Sequence, residues 1–427
     1  MPLLARSIIR GWVTATTALT VAQPSLAAQN TPQSPGDSAV VTLRAGRLLD
    51  GRGGVQEDAI LIVRGGRIES VRSARSSDDK VDYDLRGLTV LPGLVDAHVH
   101  LGWYINHQGA LHRRSDGESP EHAILAAAGN AYLTLMAGVT TVQGLGGPED
   151  VELRDAIARR LLPGPRILTS IIQLSDVRMS PDSLRAVVRA LKSSGADVVK
   201  LFASSGLGAG GEQTLSDEQL RAACSEASAQ GLRSVVHAIS AKSIRAATLA
   251  GCSQIEHGLY AGDAELRLMA ERGTYFDPQV CLVFQNYLEH REEFGRSGFT
   301  QQSFDALAAA LPAASAMFAR AIATPGLKVV FGTDAVALAH GQNVRELQCR
   351  VQQGGQKPMD AIVSATSLTA RSLGLGDRLG AVAPGLEADL IAVEGDPLRD
   401  IGVMNHIAFV MRHGTVYRYS VSAQPAR

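Results

Sequence analysis

The chain has 427 residues, 45% of them apolar, with 41 basic against 42 acidic side chains and a formal charge of −1. That length supports a large core, arranged as one large and one small domain. The balanced charge excludes a basic face for nucleic acid and a polybasic stretch for an anionic membrane.

In chain order, residues 1–28 read as an export signal: Arg6 and Arg10 precede an apolar stretch from Trp12 to Ala22, and Ser25-Leu26-Ala27-Ala28 offers small residues for cleavage. The stretch is too short to span a bilayer. This predicts a periplasmic or secreted protein, with a polar linker from Gln29 to Ser38. Short β-branched runs follow at Val40 to Leu43, Ala59 to Val63 and Arg67 to Val71, the last two separated by the hairpin signal Gly65-Gly66. The same texture returns at Asp389 to Val393, Ala408 to Met411 and Val416 to Tyr419, with His413-Gly414 as a turn. Residues 38–92 and 379–420 are therefore expected to form one small β-sandwich from both chain ends.

Between them, residues 93–378 alternate apolar strands with helix-length segments. The strands are Val95 to Leu101, Val139 to Gln143, Arg166 to Ser170, Asp197 to Ala203, Ser234 to Ile239, Gln254 to Leu259, Thr274 to Gln279 and Lys328 to Asp334. Leu184, Val187, Val188 and Leu191 fall on one helical face. Ser216 with Gln219 makes a capping box, and Pro358 suits a first helical turn. Eight β-then-helix units in roughly 285 residues predict an α/β chain with a (β/α)8 TIM barrel. A doubly wound sheet competes, but no Gly-x-Gly-x-x-Gly follows the first strand. Gly208, Gly210 and Gly211 form a loose cluster, read as a mobile loop at the barrel mouth. Cys224, Cys252, Cys281 and Cys349 lack CxxC spacing, which argues against a cysteine zinc site; buried free thiols are expected, with a disulfide left open.

Six polar side chains close strands on one predicted face: His98 and His100, Lys200, His237, His257 and Asp334. Residues i and i+2 of a strand share a face, so His98 and His100 point the same way. Imidazole and carboxylate suit zinc and similar divalent ions. Lys200 would oppose such cations unless burial keeps its amine neutral, when it can capture CO2 as an anionic carbamate. Each residue alone has an ordinary structural explanation; the set carries the argument. The remaining seven of the eleven histidines, His107, His112, His122, His290, His340, His406 and His413, are expected to be surface residues.

The constellation resembles the amidohydrolase superfamily, in its branch with two metals and a carboxylated lysine. The carriers are His98-Val99-His100, Asp197-Val198-Val199-Lys200, Gln254-Ile255-Glu256-His257-Gly258, Gly332-Thr333-Asp334 and the tail Leu379 to Leu390. The closest group looks like imidazolonepropionase relatives, including metal-dependent prolidases, carboxypeptidases and ochratoxin-degrading amidases. The resemblance implies His98, His100 and Asp334 on one metal, His237 and His257 on the other, and N6-carboxylated Lys200 bridging two divalent ions, zinc foremost. It implies a shared hydroxide as nucleophile, because metal binding lowers a water's pKa from about 15.7 toward ~7. Asp334 would take its proton and pass it to the leaving nitrogen, while the second metal polarises the carbonyl. The expected partner is a dipeptide or N-acyl amino acid, with a homo-oligomer expected by analogy.

Two departures bear on the substrate. Relatives commonly carry Arg-Asp after strand 2, where this chain has Gln143-Gly144. Many also carry a long loop with a histidine after strand 3, where only Ser170 to Pro181 intervenes. Tyr260, three residues after His257, is the candidate substrate-binding donor, and Tyr104 a weaker one. Competing functions are an esterase, lactonase or organophosphate hydrolase at the same metals, and a non-catalytic scaffold.

Overall fold

The computed structural model describes residues 40–76 and 80–420, so the export segment at 1–28 and the linker at 29–38 lie outside the described residues. The strands run β1 (Val40–Leu49), β2 (Val55–Arg64), β3 (Arg67–Ser73) and β4 (Tyr83–Pro92), then β5 (Leu94–Val99), β6 (Val139–Gly144), β7 (Arg166–Thr169) and β8 (Gln173–Leu174). They continue as β9 (Val198–Phe202), β10 (Arg233–Ala238), β11 (Gln254–His257), β12 (Tyr275–Asp277) and β13 (Lys328–Val329). The last three are β14 (Leu390–Glu394), β15 (Ile407–Arg412) and β16 (Thr415–Tyr419). The helices are α1 (Pro120–Met136), α2 (Asp150–Ala158), α3 (Pro181–Ser193), α4 (Asp217–Ala229), α5 (Ala241–Leu249) and α6 (Asp263–Arg272). After them come α7 (Leu282–Glu289), α8 (Arg291–Arg296), α9 (Gln301–Ala323), α10 (Val344–Gln352), α11 (Pro358–Val363) and α12 (Thr369–Ser372).

Both chain ends meet in one seven-stranded sheet, ordered β16-β15-β14-β4-β1-β2-β3. Its apolar side chains, among them Leu43, Leu61, Val90, Leu390 and Phe409, gather into one core. The turns at Gly65-Gly66 and His413-Gly414 have positive φ at both positions, the condition for the tight hairpin the sequence suggested.

The central segment forms two parallel sheets, β5-β6-β7 and β8-β9-β10-β11-β12-β13. Backbone bonds cross both seams between them. Asp197 N donates to Thr169 O at 2.9 Å on one side; Asp334 N donates to His98 O at 2.8 Å and Ala97 N to Phe331 O at 2.9 Å on the other. Strands end earlier than the sequence suggested where extended backbone stops being available. His257, the last residue of β11, has φ 65° in the left-handed region, which stops that ladder; Asp334, five residues beyond the end of β13, also has a positive φ of 52°.

The predicted helix signals hold. Leu184, Val188 and Leu191 are the buried face of α3, Ser216 and Gln219 exchange both bonds of a capping box on α4, and Pro358 opens α11. Helix α9 is long and apolar enough to cross a bilayer by length and composition alone. Its stripe of Phe304, Leu307, Ala310, Ala314, Met317, Phe318 and Ala321 is buried inside the protein.

The cysteines correct an expectation. They are not free thiols: Cys224 pairs with Cys252 and Cys281 with Cys349, with Cα atoms 5.1 and 6.1 Å apart. Both separations lie in the range a disulfide spans. The partners are 28 and 68 residues apart, brought together by tertiary packing that spacing cannot reveal.

Candidate metal centre

The first ligand strand is buried at every position from Leu94 to Val99. Buried Asp96 ties it to the segment that carries Asp334. It accepts from His98 N at 3.1 Å, from Thr333 N at 3.0 Å and Oγ1 at 2.7 Å, and from Asn343 Nδ2 at 2.8 Å. One carboxylate thus fixes two neighbouring strand ends against each other, which sets where the next side chains point.

Those side chains converge. His98 Nε2 lies 3.3 Å from His100 Nε2, and Asp334 Oδ1 lies 3.3 Å from the first and 3.1 Å from the second. His257 joins them: one ligand atom each from His98, His257 and Asp334 falls within 4.8 Å of the others. The His237 and His257 rings are 4.5 Å apart, and His237 stacks on Phe202 at 4.6 Å. Lys200, two residues before Phe202, is 1% exposed, and its Nζ has no hydrogen-bond partner among the described residues. The structure therefore brings all six predicted residues to one locus. His257 and Asp334 hold a backbone conformation that non-glycine residues rarely adopt, strain of the kind that clusters at functional sites.

The electrostatics follow from burial. Burial lowers the Lys200 ammonium pKa. Burial, then the Lys200 charge, pushes His98 well below its usual value and His237 down to about 4. Burial and the facing His237 do the same to His257. Burial would raise Asp334, but the opposing His98 and His100 outweigh it and hold the carboxyl at about 2. Imidazole nitrogens, an ionised carboxylate and an orphaned amine are a donor set that fits divalent cations.

Sequence reasoning missed the groups behind these donors. His98 Nδ1 is 2.7 Å from the buried Glu256 Oε2, and Glu256 Oε1 accepts from Gln254 Nε2 at 2.8 Å. A carboxylate on the far ring nitrogen fixes the tautomer and leaves Nε2 as the lone-pair donor. An acidic residue inside the apolar strand Gln254 to Leu259 was the available signal. His340, expected at the surface, is instead buried and donates from Nε2 to His100 O at 3.1 Å. His107, His112 and His122 surround Glu118 beside Tyr104, whose hydroxyl donates to that carboxylate at 2.7 Å.

A cavity of about 400 Å³ opens onto His237, His257 and Asp334. Leu207, Ile239, Phe284, Tyr287, Phe299 and Leu307 are its apolar wall, and the described lining holds no lysine or arginine. Gly206 and Gly208, from the predicted loop, form part of the rim. Tyr260 does not line this space: it is 50% exposed, while Tyr287 faces inward. The strand-2 departure also has a structural consequence. Gln143 Nε2 donates to Ala97 O at 2.9 Å, and a Cβ on Gly144 would sit 2.5 Å from Asp150 Oδ2. The Asp150 carboxylate fills the space that a side chain at 144 would need.

A family model described as the amidohydrolase family matches residues 89–422, most of the chain. The chain belongs to that family. With membership comes the enzyme class, a hydrolase of amide or peptide bonds, in a family that generally uses divalent metals. Among sequence relatives of this amidohydrolase, an ochratoxinase of Aspergillus niger is 26% identical, with 90% of this chain and 88% of the relative aligned. An imidazolonepropionase of Deinococcus deserti is 27% identical, over 81% and 88%. Among solved structures, a Xaa-Pro dipeptidase with bound methionine superposes with a TM-score of 0.80 at 31% identity, over 89% of this chain and all of that one. The Aspergillus niger ochratoxinase structure shares the fold at a TM-score of 0.75.

Proposed function

We propose that this amidohydrolase is a binuclear metal-dependent enzyme cleaving the amide bond of a dipeptide or N-acyl amino acid, with ochratoxin-type amides in its range. The convergence of His98, His100, His257 and Asp334 beside the buried, unpartnered Lys200 amine carries this reading. Its Xaa-Pro dipeptidase and ochratoxinase neighbours support it. His98, His100 and Asp334 would hold one cation and His237 and His257 the other, with carboxylated Lys200 between. Two zinc ions there would supply Lewis acidity, acidifying water and polarising a substrate carbonyl.

The chain's own groups do the rest. The neutral Lys200 amine attacks CO2 and loses a proton to water, giving the anion that two cations require. Glu256 holds His98 in one tautomer. Asp334, ionised at neutral pH, accepts the proton of the attacking water and delivers it to the leaving nitrogen. The apolar wall excludes water and takes an uncharged part of the substrate. The two parallel sheets are read as one closed (β/α)8 barrel over 93–378, and the seven-stranded sheet as a rolled sandwich over 38–92 and 379–420. Export to the periplasm or medium accords with the two disulfides.

Metal analysis of freshly purified protein, paired with kinetics, tests the proposal. The wild type should hold close to two metals per chain, and Lys200→Ala should lose bridging and at least a hundredfold in kcat/KM on dipeptides. Two tightly held metals and normal turnover in that variant would reject it. A second reading, ester or lactone hydrolysis at the same residues, draws on the cation-free cavity wall, which makes no demand for a free carboxylate. Efficiencies at physiological concentrations across dipeptides, N-acyl amino acids and lactones separate the two.

A further inference from the structure

A second cavity, of about 330 Å³, lies where the seven-stranded sheet meets the N-terminal end of β7, the opposite end of the strands from the histidine site. Six arginines line it: Arg67, Arg154, Arg160, Arg166, Arg378 and Arg412. Among the described lining residues the sole carboxylate is Glu387. So dense a cluster of one sign is out of keeping with a chain whose formal charge is −1.

Carboxylates meet part of this cluster. Arg166 and Arg378 share Glu387, Arg166 also reaches Asp389 at 2.9 Å, and Arg154 pairs with Asp197 at 3.0 Å and Asp155 at 3.1 Å. Among the described residues, Arg67 and Arg412 hydrogen-bond only backbone: Arg67 Nη1 donates to Gly385 O at 2.9 Å and Arg412 Nη1 to Gly164 O at 2.8 Å. Arg412 Nε is buried with no hydrogen-bond partner among the described residues. Guanidinium cannot shed its proton at physiological pH, so Arg67 and Arg412 stay charged and able to take an anion from outside. Burial presses the Arg412 guanidinium below its ordinary pKa; nearby Asp389 opposes that fall and the neighbouring Arg166 adds to it.

We propose that this arginine-lined cavity binds a doubly charged oxyanion, a phosphate group free or carried on a small molecule, seated between Arg67 and Arg412. Planar guanidinium forks match the oxygens of phosphate in pairs, and the cavity has room for the ion or a small ester. The site is separate from the hydrolytic centre and stands or falls independently of it.

Isothermal titration of the full, metal-loaded chain with inorganic phosphate or glycerol phosphate, against chloride at matched ionic strength, tests the proposal. Saturable binding is expected, with Kd raised at least tenfold in Arg412→Gln and in Arg67→Gln. Amide-hydrolysing kcat/KM in anion-free buffer should stay within twofold of wild type in both. Tighter binding of the ester than of phosphate assigns the source to a phosphorylated small molecule, and the reverse to the free ion. No saturable heat beyond chloride, or an unchanged Kd in Arg67→Gln, would overturn the proposal. The Arg67 side chain is exposed, so that variant decides the matter even if Arg412→Gln does not fold.

Discussion

Glu256 acts on the metal site through His98 rather than through any substrate. Its 2.7 Å contact to Nδ1 orients the ring and raises the basicity of the nitrogen that faces Asp334. Glu256→Gln keeps the shape but removes the charge, so metal affinity should fall roughly ten- to hundredfold. Chelator competition, with circular dichroism to show an intact fold, would measure it; unchanged affinity would deny Glu256 that role. Asp150 is a different case. Burial raises its carboxyl to about 7, with Glu149 adding to the rise and Thr169 opposing it. Below pH 4 the carboxyl is protonated in both states and costs nothing. From pH 4 to 7 the folded protein keeps this proton and the unfolded chain releases it, so stability falls as pH rises, by roughly 4 kcal/mol at most. Thermal melts between pH 4.5 and 8 should show a flatter profile in Asp150→Asn. At this scale the metal donors were legible because imidazole, amine and carboxylate ended apolar runs. Asp150 was not, since its burial against Gly144 arises across a turn that sequence does not fix.

The cavity wall depends on how α7 is held. Buried Glu346 on α10 accepts from Val280 N at 2.7 Å and from Cys281 N and Leu282 N at 3.0 Å, satisfying backbone donors at and just before the start of α7. Arg350, one turn later on α10, is fully buried and donates to Val330 O and Pro278 O at 2.6 Å. The Cys281–Cys349 bridge adds a covalent tie between the same two helices. Chain entropy for a loop of 68 residues makes the bridge worth about 4 kcal/mol. Replacing both cysteines with alanine should lower urea-unfolding stability by roughly 2–4 kcal/mol, and reducing agent should then have a much smaller effect than on wild type. Phe284 and Tyr287 ride on α7, so KM should rise more than kcat falls. Helix positions such as Leu184, Ser216 and Pro358 were readable from local rules. The α7–α10 clamp was not, because its partners lie 60 or more residues apart.

For the whole molecule, metals that bind only the folded state should stabilise it in proportion to their affinity. Dialysis against a chelator should therefore lower Tm by several degrees and zinc should restore it, with Lys200→Ala indifferent to both treatments. Equal melting with and without chelator would sever cation binding from the fold. The strand–helix alternation announced the parallel sheets in advance, since period and β-branched content are local signals. The sequence also suggested that the flanks combine, but not the order in which their strands pair, which needed the parallel β1–β4 contact.

That shared sheet has a consequence during synthesis. Pro92 on β4 stands opposite Leu390 on β14 in the antiparallel register, a residue made roughly 300 positions later, or about 15 to 60 s at ribosomal speeds. For that interval β4 offers a bare, apolar margin to any passing strand. A nascent chain built this way should lean on chaperones until translation is almost finished.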